Sequence, residues 1–208
     1  MNIVNLCIIY YNIISEIVRN AISVKGGGVM SNKKAKDISL IALFSAIIVI
    51  CSLITIPSVI PFTLQTFAIF LCLNILGAKK GIISILIYIF LGVVGLPVFS
   101  GFNGGIGALL NVTGGYIIGF IFSALTYWLI TLMFSKKPRK IINLIASFMG
   151  LIVCYIFGTL WYILLFIKNG DTVSFTSAFT ICVLPFIIPD IFKILLSVTI
   201  SEKIKKQI

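Results

Sequence analysis

Long apolar runs separated by short polar turns make up most of this chain. Apolar residues fill every face of these runs, so the pattern predicts helices surrounded by apolar material, not the one-sided stripe of a soluble surface helix. The runs predict helices over about Ile38–Ile54, Phe62–Leu76, Ile82–Leu96, Thr113–Phe134, Ile141–Phe166 and Ala178–Glu202. Pro57 and Pro61 bracket the first turn, TIPSVIP. Gly77 ends the second helix, and Pro97 ends the third. The polar loop IKNGDTVSFTS, residues 167–177, precedes the last helix, which holds Pro185 and Pro189. At 1.5 Å per residue, a run of about 20 residues crosses the hydrocarbon core of a bilayer.

Composition turns these helices into membrane spans. Of the 208 residues, 60% are apolar and 10% charged, and mean hydropathy is +1.22. A soluble domain carries about 25% charged residues. The expected fold is all-α: an integral membrane protein with six transmembrane helices in one bundle and an outward-facing ligand pocket. The net charge of +11 would suit nucleic acid, but its placement argues against that partner. Lys33, Lys34 and Lys36 precede the first helix, and Lys79 and Lys80 join the second to the third. Lys136, Lys137, Arg139 and Lys140 join the fourth to the fifth; Lys203, Lys205 and Lys206 follow the last. With six spans all four groups fall on one side, the positive-inside pattern. That predicts a multi-pass protein of a bacterial plasma membrane with both termini cytoplasmic and membrane lipid as its surroundings.

Residues 30–208 form the expected membrane domain. Residues 1–29 fit it poorly: Val4–Ile14 is apolar but too short to span. Lys25-Gly-Gly-Gly before Val29-Met30 has the look of a translated purine-rich ribosome-binding site, which would make Met30 the start. The rival reading is an interfacial amphipathic helix. A cleaved signal peptide fits less well, since the basic residues follow the apolar part.

Candidate chemistry centres on two places. Gly95–Phe120 holds eight of the 17 glycines of the chain. Irregular backbone at membrane depth is tolerated only when buried in protein or lining a cavity, so this stretch reads as a binding loop. Asn103 lies within it, and Thr113, Gly114 and Gly115 open the next helix, where bare amides could meet an anion. The plain alternative for Thr113 is a helix cap. Asp190 and Lys193 are the only charged residues inside a predicted span, at i and i+3 on one face. They are either an ion pair pinning the helix or polar hooks for a ligand. Gln65 and Thr63 sit at the outer end of the second helix. Tyr88, Phe99, Phe102, Tyr116 and Trp161 could wall an apolar ligand, or simply pack. The chain has no histidine and no GxxxxGK[ST] motif, so it is no enzyme of ATP hydrolysis itself; no cofactor or metal is expected. The cysteines read as small buried apolar side chains. Ala42 and Ala46 form a small-xxx-small face on the first helix, which permits close helix contact.

Four stretches together resemble the BioY family, the biotin-specific S components of energy-coupling-factor (ECF) transporters: PFTLQTF (61–67), GLPVFSG (95–101), GGIGALLNVTGGYIIGF (104–120) and PDIFKILLS (189–197). The family usually has Gly-Pro before Thr-Gly-Gly-Tyr; here Asn111-Val112 stands there, which changes the turn into the fourth helix. The resemblance implies a six-helix protein that binds biotin from outside and works with a transmembrane coupling subunit and two ATPase subunits. It also implies that Ala42 and Ala46 dock the coupling subunit. An S component for a different vitamin, and a membrane assembly protein with no transport role, are the alternatives.

Overall fold

The computed structural model describes Glu16 and residues 33–134, 138–168, 170 and 174–206. The question of residues 1–29, and the middle of the basic turn 135–140, lie outside that set. Helix α1, Lys33–Leu53, leads into a small hairpin of β1, Thr55–Ile56, and β2, Phe62–Thr63. Thr55 pairs with Thr63, and Ile56 with Phe62. Helix α2, Gln65–Leu76, and helix α3, Ala78–Val93, follow, then the short α4, Ile106–Leu109. Helix α5 spans Gly114–Met133 and α6 Arg139–Lys168. The last predicted helix is two: α7, Phe175–Cys182, and α8, Leu184–Lys206.

Among the described residues, four helical stretches are long and apolar enough to cross a membrane: Lys34–Leu53, Gly114–Met133, Arg139–Lys168 and Phe175–Lys205. Helix α2 is only 12 residues long, and α3 is 16. Helix α2 is central: residues 67–74 are all buried, which is why its sequence is apolar all round. It packs on α8 and on α1, and α1 packs on α3.

The last predicted helix was expected to run unbroken from Ala178. It breaks at Val183, where φ is −124° and ψ −52°. Proline explains the break. Pro185 has no N–H to return to the carbonyl of Ile181, and it falls in the first turn of α8, where no donor is needed. Tyr116 Oη donates to the Cys182 carbonyl at 2.9 Å and covers the interruption.

The glycine stretch is a folded cap. Ser52 Oγ donates to the Val98 carbonyl, and the buried Phe99 ring sits edge-on to Tyr88 with centroids 5.6 Å apart. Gly105 has φ +82°, a left-handed conformation that suits glycine, and its N–H donates to the Gly92 carbonyl at 2.7 Å. Trp161 Nε1 donates to the Asn111 carbonyl at 3.0 Å, fastening the end of the cap to α6.

Helices α5 and α6 form the most extensive pair. Their contact is built on small residues, as in membrane helices that approach closely. A Cβ on Gly150 would lie 2.8 Å from Ser123 Oγ and 3.0 Å from the Ser123 carbonyl oxygen. Cys51, Cys72, Cys154 and Cys182 are buried, in keeping with their apolar reading. Gly150→Val should therefore destabilise the bundle by about 1–3 kcal/mol, the usual cost of overpacking. Thermal unfolding in detergent tests this; an unchanged Tm would show that the helix pair yields at this point.

Candidate functional site

The site lies where the hairpin, the start of α2, the first two turns of α5, the middle of α6 and the first half of α8 converge. Its floor is the Asp190–Lys193 pair on α8, and the pair starts at the residue after Pro189. Both residues are 3% exposed. Lys193 Nζ is 2.7 Å from Asp190 Oδ1. It also donates to the Thr63 carbonyl at 2.7 Å and lies 4.0 Å from the centroid of the Phe62 ring. The second carboxylate oxygen, Oδ2, accepts from Tyr155 Oη at 2.7 Å. Charges removed from water cost several kcal/mol each unless paired and hydrogen-bonded. Here the partners come from three elements, α6, α8 and the hairpin.

Above the pair is a cavity of ≈ 60 Å³. Thr63, Gln65, Ser100, Thr113, Asp190 and Lys193 give it polar wall. Tyr116, Ile117, Phe120, Leu151 and Phe186 give it apolar wall. Gln65 is the first residue of α2; its Nε2 donates to Tyr88 Oη at 2.9 Å, so Tyr88 holds it from behind. Sites for drug-sized ligands enclose roughly 300–1,000 Å³. A ligand of that size enters only if wall side chains shift.

Several residues expected at the site stand elsewhere. Tyr88 and Phe99 are buried behind the wall. Asn103 is exposed and donates from Nδ2 to the Ser100 carbonyl at 2.8 Å; it shapes the cap and lines a separate shallow recess with Gly104 and Thr113. Gly114 and Gly115 serve close approach. A Cβ on Gly114 would run into the Leu109 carbonyl, and one on Gly115 into the Trp161 side chain. Thr113 holds the residue before α5 but makes no side-chain capping bond, and its φ and ψ, −82° and −14°, are already helical. Between residues 98 and 112 only Ser100 reaches the main cavity. Ala42 and Ala46 are exposed on the outer face of α1.

Tyr155, which bonds Asp190 and lines the cavity, was not singled out in the sequence, and neither were Ser100, Ile117, Phe120 and Phe186. A tyrosine in an apolar run looks like any packing aromatic. The available signal was its place beside Leu151 and Cys154 on one face of α6, at the i, i+3, i+4 spacing.

A buried ion pair in a helix-lined cavity, among helices long and apolar enough to cross a membrane, marks the class as a polytopic membrane protein with a polar pocket. The BioY family model matches residues 24–208. The chain is 40% identical over 173 residues to the probable biotin transporter BioY of Pyrococcus horikoshii, covering 83% of this chain and 98% of that protein. It is 35% identical to the biotin transporter BioY of Thermotoga maritima, covering 79% and 92%. The crystal structure of the S component for biotin from an ECF-type ABC transporter superposes with a TM-score of 0.74 at 27% identity, covering 86% of this chain and 95% of that one. The chain belongs to the BioY family.

The buried pair yields a stability test. Asp190→Leu or Lys193→Met leaves one buried charge alone and should cost about 3–5 kcal/mol. The double variant removes both charges and should be more stable than either single variant. Unfolding of all three in detergent gives the comparison; additive losses would mean that the two charges are not coupled.

Proposed function

We propose that this chain binds biotin and serves as the substrate-specific S component of an ECF-type transporter. The observation that carries the reading is the Asp190–Lys193 pair: an ionised acceptor and a donor, nearly sealed from water, at the foot of a partly apolar cavity. Biotin offers a ureido ring with two N–H donors and a carbonyl, an apolar sulfur ring and a carboxylate-bearing chain. Asp190 suits the ureido donors. Lys193 suits an acceptor or the carboxylate; the Gly114, Tyr116 and Ile117 amides that follow Thr113 already donate to the Asn111 and Thr113 carbonyls. Gln65 and Tyr116 complete the polar contacts, and Ile117, Phe120 and Phe186 enclose the apolar ring. Tyr155 orients Asp190 through its second oxygen. Asn103, Gly114, Gly115, Tyr88 and Phe99 support the wall and cap around the ligand.

The rest of the assembly follows from the same reading. Helices α1, α2, α3, α5 and α6 and the α7–α8 unit form six spans, with the shorter α2 and α3 filled out by their flanking turns. The basic turns face the cytoplasm of a plasma membrane, both termini are cytoplasmic, and the cap and hairpin face outward. A transmembrane coupling subunit docks on Ala42 and Ala46, and two partner ATPase subunits hydrolyse ATP.

A biotin titration of the purified full chain, followed by thermal unfolding alongside a panel of other vitamins, tests the proposal. Biotin alone should stabilise. Stabilisation by another vitamin instead would make this an S component of different specificity. No stabilisation by any solute would overturn the transport reading. Asp190→Asn should weaken biotin binding roughly tenfold to a hundredfold, since charge-assisted hydrogen bonds contribute about 1.5–3 kcal/mol. Wild-type affinity in that variant would reduce the pair to a structural role. Ala42→Leu and Ala46→Leu should leave biotin binding intact and lower uptake by the whole transporter, because a bulky side chain blocks close helix approach. Undiminished uptake would remove this face from the account.

A further inference from the structure

At the far end of α2 and α8 from the site, a second polar cluster surrounds a cavity of ≈ 250 Å³. Asn74 is nine residues beyond Gln65 on α2, and Lys205 is fifteen beyond Asp190 on α8, so the two cavities are separated by roughly 14–22 Å of helix rise. The core of the cluster is buried: Asn74 is 1% exposed, Tyr127 2% and Asn143 6%. Tyr127 Oη lies 3.0 Å from both Asn74 Oδ1 and Asn143 Oδ1, sharing one proton between two amide oxygens. Asn74 Nδ2 donates to Ser197 Oγ at 3.2 Å, whose own proton goes to the Ile194 carbonyl at 2.8 Å.

One donor remains. Asn143 Nδ2 is buried with no hydrogen-bond partner, although Asn143 lines the cavity. A buried donor left unpaired costs about 1–3 kcal/mol, and a ligand with an acceptor would remove that cost. The cavity wall states the charge of such a ligand. Arg139 and Lys205 both line it, and these like charges interact with one another, with Glu202 the one carboxylate acting on Lys205. Gly77 and Ala78, where α3 begins, also line it, and Arg139 is itself the first residue of α6. The N-termini of α3 and α6 meet the C-terminal turns of α2, α5 and α8 here, so the helix ends offset one another and Arg139 and Lys205 carry the charge. Among the described residues no acidic side chain lines the cavity.

We propose that this cavity is an anion site that takes a phosphate group, held by Arg139 and Lys205 and hydrogen-bonded by Asn143 Nδ2. The group is either the headgroup phosphate of an anionic lipid or free phosphate. Basic pockets between membrane helices recognise lipid phosphates by the same combination of charge and donors. A bound phosphate would relieve the repulsion between Arg139 and Lys205 and would tie the first turn of α6 to the last turn of α8.

The test uses the full-length protein in uncharged detergent. In one arm thermal unfolding is followed in inorganic phosphate against chloride at equal ionic strength. In the other, mixed micelles with phosphatidylglycerol are compared with phosphatidylcholine. Wild type should gain Tm in at least one arm. A gain in the phosphate arm alone assigns the site to free phosphate; a gain in the phosphatidylglycerol arm alone, or in both, assigns it to a lipid headgroup. Arg139→Gln/Lys205→Gln should need roughly tenfold more of the same anion for the same gain, having lost two charge-assisted contacts. Lys205→Gln alone, at a helix end, is the milder change and should give an intermediate shift if the double variant does not fold. No gain in either arm, or equal gains in wild type and Lys205→Gln, would overturn the proposal. The readout does not depend on biotin, so failure here leaves the reading of the main site untouched.

Discussion

A carboxylate and an ammonium, each 3% exposed, set the terms for the structure around them. Neither could stand at this depth without strong hydrogen-bonding partners. Lys193 is answered by Asp190, the Thr63 carbonyl and the Phe62 ring; Asp190 is answered by Lys193 and Tyr155. These partners belong to separate parts of the chain. The hairpin must lie over α8, α6 must present Tyr155 inward, and α8 must begin late enough to bring Asp190 beneath both. The break at Val183 fits that geometry: α8 runs as its own helix, and the carbonyl at the end of α7 is satisfied by Tyr116. A residue that walls the cavity thus also holds the interrupted helix beside it.

Small residues fix the remaining wall. Gly115 and Gly150 let α5 and α6 approach until a Cβ would collide with the partner side chain. Gly158 leaves room for the Tyr116 ring. Aromatic groups of α5 and α6 are consequently placed by backbone proximity more than by their own contacts. Phe122 and Phe157 stack across the same pair with centroids 4.1 Å apart. Close packing on this side contrasts with the cap, whose Phe102, Ile106 and Leu110 are all exposed.

Much of this was legible in the chain. Helices α1, α5 and α6 follow the apolar runs closely, because a membrane span is encoded by local composition. The pairing of Asp190 with Lys193 was legible because a charge inside such a run needs a partner; the sequence left open whether the pair pins the helix or meets a ligand. Other features depend on tertiary partners. The hairpin has strands of two residues each, too short for any alternation to show. The roles of Gly114 and Gly115 are decided by Leu109 and Trp161, and glycine's suitability for close packing and for ligand contact looks the same in sequence. Tyr88 and Phe99 were expected either to wall an apolar ligand or to pack, and their edge-on contact puts them one layer behind the cavity. Tyr155 acts on a carboxylate 35 positions away, a distance over which local pattern says nothing.

The bond from Lys193 to Thr63 has an unusual robustness. Its acceptor is a main-chain carbonyl, which every amino acid carries. No substitution at position 63 deletes it, so the hairpin's side chains are free to diversify while the latch stays closed. What the latch does depend on is chain length. One residue added or lost between Leu53 and Gln65 would slide the pairing of Thr55 with Thr63 and turn a different carbonyl, or none, toward the ammonium. For this segment, counting residues matters more than choosing them.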